Sequence, residues 1–146
     1  MKSACVLALA LALPASIPAM ATDAAPQFLL TAVADKSRPD ADTQRDAERK
    51  PAETMAFAGV KPGDTVVELI PGGGYFTRLL SKAVGPKGHV YAVVPAPHPD
   101  AAPGSPDRSL GIKAIAAEAG YGNVSLLVQP IKALELPPKA DLVCAS

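Results

Sequence analysis

Residues 65–94 read TVVELIPGGGYFTRLLSKAVGPKGHVYAVV and carry the clearest structural signal in the chain. The stretch opens with β-branched and apolar residues, which predict a buried strand over residues 65–70. Glycines follow, and then an apolar stripe at helical spacing, formed by Phe76, Leu79, Leu80, Ala83 and Val84. A Gly- and Pro-containing turn ends this helix, and residues 89–94 predict the next buried strand. The order predicts a βαβ unit with parallel strands and a right-handed crossover.

The rest of the chain continues the alternation of helices and strands. Further helices are predicted where capping or helix-breaking residues bound a helical pattern, at residues 41–48, 51–59 and 106–120. Apolar runs predict a third and a fourth strand, at residues 123–128 and 140–145. A Pro-rich loop, residues 95–106, separates the second strand from the helix predicted at residues 106–120. The predicted fold class is therefore α/β.

The fourth predicted strand is apolar throughout, which is typical of a strand that is covered on both faces and flanked by neighbours. A parallel sheet that ended on such a strand would leave an unprotected edge. We therefore interpret Ser146 as a truncation point. On this interpretation residues 41–146 are the N-terminal part of a longer α/β domain, and residues 22–40 are a loose lead-in to it.

The composition excludes several classes of protein. The 146 residues include 14 basic and 14 acidic side chains, so no net charge points to nucleic acid or to an anionic membrane. The apolar fraction of 49% is too high for a disordered chain. Of the two cysteines, Cys144 lies in an apolar run that favours a small core thiol over a reactive nucleophile. Disulfide scaffolds and zinc fingers are excluded by the same count.

The first segment, residues 1–21, reads MKSACVLALALALPASIPAMA and has the organisation of a signal peptide. Lys2 gives a short basic start, an apolar run follows, and Ala19 and Ala21 form the small-x-small pattern that signal peptidase requires. The apolar run is too short for a membrane-spanning helix, which needs about 20 residues. We expect cleavage near Ala21 and export to the periplasm or the medium, with no stable membrane anchor.

From about Arg45 onward the sequence resembles the class I S-adenosylmethionine-dependent methyltransferases. In particular, it resembles an exported bacterial branch of predicted methyltransferases. The resemblance rests on residues 50–93, KPAETMAFAGVKPGDTVVELIPGGGYFTRLLSKAVGPKGHVYAV, and on the spacing to residues 140–146, ADLVCAS. It implies a Rossmann-like fold with seven strands in the order 3-2-1-4-5-7-6, of which this chain supplies strands one to four.

The family motif is an acidic residue, an apolar residue and then G-x-G-x-G. Glu68 and Leu69 match its start, and Gly72 and Gly74 match its second and third glycines. In the family this loop wraps the methionyl part of S-adenosylmethionine, and the acidic residue helps to fix the cofactor through hydrogen bonds. The alternative for the acidic residue is a capped or paired structural carboxylate. The resemblance implies this cofactor-binding set: Glu68, Pro71, Gly72, Gly73 and Gly74.

Two positions depart from the motif. Ile70 stands where the family has its first glycine, and the following Pro71 makes the entry to the loop stiffer and bulkier. The carboxylate that binds the ribose in the family falls on Val94, whose side chain cannot accept a hydroxyl group. Asp100 is close in sequence but lies in the Pro-rich loop. Gln129, which follows the third strand, is interpreted more simply as a loop amide than as an adenine contact.

These observations lead to one functional prediction and two alternatives. The prediction is an exported S-adenosylmethionine-dependent methyltransferase-like protein, of which this chain is the cofactor-binding half. No catalytic base, nucleophile or metal-binding cluster is legible, but methyl transfer depends mainly on positioning of an already activated cofactor. The alternatives are a non-catalytic exported module that binds another adenosyl or anionic small molecule, and an inactive fragment.

Overall fold

The computed structural model describes residues 24–146, so the predicted signal peptide lies outside the described residues. Within this range the chain forms an α/β fold. Its elements, in chain order, are α1 (Gln27–Val33), α2 (Asp40–Thr43), α3 (Asp46–Arg49), α4 (Pro51–Phe57), β1 (Thr65–Leu69), α5 (Tyr75–Val84), β2 (His89–Pro95), α6 (Leu110–Ala117), β3 (Val124–Gln129) and β4 (Leu142–Ala145).

The four strands form one parallel sheet in the order β3-β2-β1-β4. In the register, Glu68 of β1 lies between Ala92 of β2 and Cys144 of β4. The chain first builds outward from β1 to β2 and β3, and then returns to the other side of β1. This reversal creates a switch point at the carboxyl end of β1, which is where open α/β sheets bind ligands. The predicted α/β class and all four predicted strands are confirmed.

The core lies between the sheet and the helices. The apolar stripe predicted for α5 is buried as expected, because Leu79, Leu80, Ala83 and Val84 are each at most 3% exposed. The segment expected to be a loose lead-in contains α1, whose Leu29 is fully buried in the same core. Phe28, Leu29, Ala32 and Val33 recur at helical spacing, so α1 has an apolar face that packs against α4 and α5.

Two helices differ from the sequence-based expectation. The helix predicted at residues 41–48 is divided into α2 and α3, with Gln44 and Arg45 between them. The helix predicted from Pro106 begins only at Leu110. Asp107 explains the later start, because its carboxylate accepts hydrogen bonds from the backbone N–H and the hydroxyl of Ser109, which holds a turn ahead of the helix.

β4 lies at one edge of the described sheet, and its two sides differ. Leu142 and Cys144 pack against the helical core, whereas Val143 points to the other face of the sheet and is 48% exposed. The strand was expected to be covered on both faces, and within residues 24–146 it is covered on one. Across the same range, no helix has the length and apolar character needed to cross a membrane.

Candidate functional site at the glycine-rich loop

The glycine-rich loop, residues 70–74, connects the carboxyl end of β1 to the start of α5. Ile70, Gly72 and Gly74 all have left-handed backbone conformations, with φ of 56°, 56° and 87°. Ile70 stands at the first glycine position of the motif, and its backbone adopts a conformation that normally favours glycine. The departure in sequence therefore leaves the left-handed turn in place. What differs from a glycine is the isoleucine side chain, which is 50% exposed at the loop.

The glycines of the loop have different neighbours. A Cβ on Gly74 would overlap Cδ1 of Ile115, so this glycine allows α6 to pack closely against the loop. A Cβ on Gly72 or on Gly73 would have no atom within 4 Å. The open side of the loop is therefore formed by Gly72 and Gly73, and both residues are exposed.

The loop and the start of α5 present backbone N–H groups that have no acceptor. Gly74 donates to the carbonyl of Pro71 at 2.9 Å, and Arg78 donates to Gly74 at 3.1 Å. Within the described residues no acceptor is found for the N–H groups of Gly72, Gly73 and Tyr75, and no side chain caps the helix. Free N–H groups at a helix N-terminus, together with the helix dipole, attract electron-rich groups of a ligand.

Two adjoining cavities open at the carboxyl ends of the strands. The first has a volume of about 270 Å³ and is lined by Ile70, Pro71, Gly72, Val94, Pro95 and Arg108. The second has a volume of about 330 Å³ and shares Val94, Pro95 and Arg108 with the first. Of the predicted cofactor-binding residues, Pro71 and Gly72 line a cavity. Gly73 and Gly74 belong to the loop beside it, and Glu68 lines neither cavity.

Glu68 is fully buried under the loop, at 0% exposure. One carboxylate oxygen accepts a hydrogen bond from the hydroxyl of Thr77 in α5, and the other accepts one from the hydroxyl of Ser146, both at 2.6 Å. Burial raises the pKa of Glu68, and the two hydroxyl groups oppose that rise. The carboxylate therefore ties β1 to the first turn of α5 and to the end of β4. Its predicted role in fixing the cofactor stays a prediction.

Cys144 lies opposite Glu68 on the neighbouring strand. Burial and the nearby charge of Glu68 raise the pKa of the Cys144 thiol to about 11. A thiol with a raised pKa holds little thiolate at neutral pH, so it is a poor nucleophile. The environment of Cys144 agrees with the predicted core thiol.

The end of β2 has no carboxylate at the position expected for ribose binding. Val94 occupies it, is 3% exposed and lines both cavities. Asp100 is exposed and lies 3.5 Å from His98, outside the residues that line the cavities. The carboxylate that does line the larger cavity is Asp107, next to Arg108. Asp107 and Arg108 were not singled out from the sequence. Their position just before the helix that follows β2 could have indicated them.

Gln129 does not face either cavity. Its side-chain amide donates to the carbonyl of Glu135 at 3.0 Å, and its side-chain oxygen accepts from the Glu135 N–H at 2.9 Å. These two bonds hold the loop that follows β3. The structure thus places Gln129 in the loop role that the sequence favoured.

A second feature beside the loop was not predicted, and it surrounds Tyr75, the first residue of α5. The Tyr75 hydroxyl donates to Asp46 at 2.6 Å, and Arg38 forms a two-pronged ion pair with the same carboxylate at 2.7 and 2.8 Å. The guanidinium carbons of Arg38, Arg45 and Arg49 lie 5.5, 5.3 and 4.9 Å from the centroid of the Tyr75 ring. Three cations thus gather on one aromatic side chain.

The pKa values of this group follow from the ion pair. Arg38 holds the pKa of Asp46 below its usual range, since its hydrogen bonds favour the ionised carboxylate. Burial, together with the Asp46 charge, raises the pKa of Tyr75 to about 12. Asp46 is therefore an anion and Tyr75 a neutral donor at neutral pH. We call Arg38, Arg45, Asp46, Arg49 and Tyr75 the Tyr75 cluster.

The chain is similar to parts of two known methyltransferases. A protein-L-isoaspartate O-methyltransferase from Ignicoccus hospitalis is 37% identical over 77 residues, which are 53% of this chain and 32% of that protein. The crystal structure of a SAM dependent methyltransferase from Aquifex aeolicus aligns with a TM-score of 0.55 at 24% identity, over 72% of this chain and 52% of that chain. No family model matches the chain.

The alignments cover only part of each relative. This chain spans about a third of the curated relative's length and about half of the solved structure's. The structural match, together with the strand order 3-2-1-4, shows that the described residues have the Rossmann-like methyltransferase fold. The Rossmann-like fold predicted from the resemblance is confirmed for strands one to four.

Proposed function

We propose that this chain binds S-adenosylmethionine at the glycine-rich loop and, as part of the whole protein, transfers its methyl group to an acceptor. The observation that carries the proposal is the loop itself. It combines left-handed turns at Ile70, Gly72 and Gly74 with free N–H groups and an adjoining cavity at the sheet's switch point. The similarity to an isoaspartate methyltransferase and to a SAM dependent methyltransferase adds independent support.

The residues at the loop fit the cofactor, but the end of β2 lacks an acceptor for the ribose. Gly72 and Gly73 leave open space for a close approach, and the free N–H groups can donate to a carboxylate. The two cavities adjoin, which suits an elongated ligand. Val94 offers no acceptor for the ribose hydroxyl groups, so affinity must come from the loop and from apolar contacts. The bound sulfonium would supply an activated methyl group, and the chain would supply binding and orientation.

The test is calorimetric titration of the full chain with S-adenosylhomocysteine. Gly72→Leu places a side chain in the open space beside the cavity, so we expect at least tenfold weaker binding. Gly63→Leu is the matched control, because Gly63 also has a left-handed φ and open space around it but lies in the turn before β1. Both variants carry similar backbone strain, of about 1–2 kcal/mol.

Each outcome of this titration has a defined meaning. If wild-type protein does not bind S-adenosylhomocysteine, the cofactor proposal is wrong. If both leucine variants bind as tightly as wild type, the ligand does not lie at the loop. Gly74→Val is a poor test, because its side chain would overlap Ile115 and disturb the packing of α6.

A second candidate function is non-catalytic binding of another small anion at the same loop. The specific observation in its favour is the lining of the shared cavity wall, where Val94 replaces the ribose-binding carboxylate and Arg108 adds a cation. This reading expects that adenosyl ligands leave the thermal stability of the protein unchanged while a small anion raises it. A thermal shift with S-adenosylhomocysteine separates the two candidates.

Export is part of the same proposal and is supported by the sequence of residues 1–21. Intact-mass measurement on protein recovered from its natural source tests it directly. A mass that lacks residues 1–21 would support cleavage near Ala21. A mass that retains Met1 would refute it, and the same spectrum reports whether the natural chain extends beyond Ser146.

A further inference from the structure

Two arginines of the Tyr75 cluster, Arg45 and Arg49, carry positive charge that no carboxylate in the described part of the chain neutralises. Arg45 and Arg49 lie on the Tyr75 ring, and Arg49 also lies 5.9 Å from the ring centroid of Phe76. Among residues 24–146, neither guanidinium has a carboxylate oxygen within 4.0 Å or any hydrogen-bond acceptor. Their planar sets of N–H donors are therefore available to a ligand.

The one carboxylate of the cluster is already engaged. Both oxygens of Asp46 bind Arg38, and one of them also accepts from Tyr75. The side chain of Arg38 is fully buried, and its Nε–H has no acceptor in the described part of the chain. The cluster thus holds three guanidinium groups and a single carboxylate, with more donors than acceptors.

The two free arginines lie close together over one aromatic ring. The Arg49 N–H donates to the Arg45 carbonyl at 2.9 Å, so their side chains lie one helical turn apart on the same face. The Tyr75 ring that supports them is 5% exposed and is fixed by its bond to Asp46. Two like charges at this spacing repel each other, and a bound anion would remove that repulsion. Preorganised donors also lose little conformational freedom on binding.

We propose that Arg45 and Arg49 form a binding site for an oxyanion, a carboxylate or a phosphate, on a molecule that lies against the glycine-rich loop. Tyr75 directly follows Gly74, so the site borders the free N–H groups of the loop. The planar fork of arginine matches the geometry of carboxylate and phosphate oxygens. The anion site itself does not depend on methyl transfer. Its assignment to the cofactor or to the acceptor rests on the proposed function.

The first experiment titrates the ¹⁵N-labelled full chain with inorganic phosphate and follows the arginine side-chain Nε–H signals by NMR. We expect saturable shifts in two signals that the single variants Arg45→Gln and Arg49→Gln assign. The double variant R45Q/R49Q should bind phosphate about tenfold more weakly, the loss expected for one charge-assisted hydrogen bond. K61Q/K87Q is the matched control, since it removes the same charge from exposed turns. These turns precede β1 and β2 and so lie at the amino ends of the strands, away from the glycine-rich loop.

The second experiment identifies the source of the anion. S-adenosylhomocysteine has a carboxylate and methylthioadenosine has none, so R45Q/R49Q should weaken only the former if the site holds the cofactor's carboxylate. Unchanged affinity for both, with phosphate binding lost, assigns the site to the acceptor. Either result supports the oxyanion site. Should the double variant not fold, R45K/R49K keeps the charge without the planar fork and should weaken phosphate binding several-fold.

Equal phosphate affinity in R45Q/R49Q and K61Q/K87Q would overturn the proposal, because the effect would then be one of overall charge. The same holds if the two arginine signals do not shift at all. Failure of the wild-type protein to bind S-adenosylhomocysteine would refute the proposed function instead. The phosphate result would stand in that case.

Discussion

Ile70 gives a direct test of the loop's backbone geometry, because a β-branched residue has a φ of 56° there. A Cβ in the left-handed region costs about 1–2 kcal/mol relative to glycine. Ile70→Gly removes that cost, but it also removes an apolar side chain that is 50% exposed. Half of the usual burial energy of such a side chain is about 1 kcal/mol. The two effects nearly cancel, so this variant alone is uninformative.

Comparing Ile70→Gly with Ile70→Ala isolates the backbone term. Both variants lose the side chain beyond Cβ, and only the alanine variant keeps the strained Cβ. Glycine is freer in the unfolded chain, which offsets about 0.5 kcal/mol of the gain. We therefore expect the free energy of unfolding of Ile70→Gly to exceed that of Ile70→Ala by about 1 kcal/mol. This corresponds to about 4 °C in Tm for a domain of this size.

The assay is urea denaturation of the full chain, monitored by circular dichroism. The comparison requires that the two variants have the same m-value, so that a shift of the midpoint reports a change in stability. Leu136 provides the control, because it is a loop residue of similar exposure that lacks a left-handed φ. At an ordinary φ the order reverses, so Leu136→Ala should be more stable than Leu136→Gly. If Ile70→Ala is as stable as Ile70→Gly, the left-handed conformation at this position is refuted.

Three further predictions concern Glu68, Asp46 and Gly73. Glu68 has a raised pKa, so the folded state binds its proton more tightly than the unfolded state, and the stability of the protein falls as pH rises from about 4.5. Glu68→Gln should remove this fall, which is measured as Tm against pH. A steeper fall in the variant would contradict Glu68 as its origin. Asp46→Asn should lower the free energy of unfolding by about 3 kcal/mol at pH 7, because it leaves the buried Arg38 without its partner. The pKa of Asp46 is lowered, so the wild-type advantage should begin to shrink as pH drops below about 4 and should be lost as pH falls through the lowered pKa of Asp46. An advantage that does not decrease at all in acid would exclude the ion pair as its cause. Gly73→Ala should keep or raise Tm, because Gly73 has no left-handed φ and its Cβ meets open space, yet it should weaken S-adenosylhomocysteine binding; unchanged affinity would show that the ligand does not approach Gly73.

The sequence predicted the parallel sheet well because its signals are local. Each strand is a short apolar run between turn residues, and α5 has an unbroken apolar stripe. The order β3-β2-β1-β4 came from the resemblance, since no local pattern states which strands pair. The helix α1 was missed because its polar and Pro-containing surroundings suggested a loose segment. What stabilises α1 is contact with α4 and α5, which is a property of the tertiary structure.

The candidate site was predicted only in part, because only some of its residues form a local pattern in the sequence. The glycines at residues 72–74 are recognisable from residue types in a strand–loop–helix context. The Tyr75 cluster is not, because Asp46 and Tyr75 are 29 residues apart and meet only when α3 packs beside the start of α5. The left-handed backbone at Ile70 could not be read from the sequence either. Isoleucine avoids that conformation, so only the surrounding fold can impose it.

The three glycines of the loop show how much of this motif is structural. Gly74 is required because any side chain would overlap Ile115 of α6, and Gly72 is favoured because its φ is left-handed. Neither reason involves a ligand. Gly73 has an ordinary φ and open space around its Cβ, so neither packing nor backbone conformation requires a glycine there. A glycine without a structural reason, exposed beside free N–H groups and a cavity, supports the proposed close approach of a bound molecule. Gly73 therefore supports the proposed ligand site in addition to the free N–H groups and the cavity at the loop.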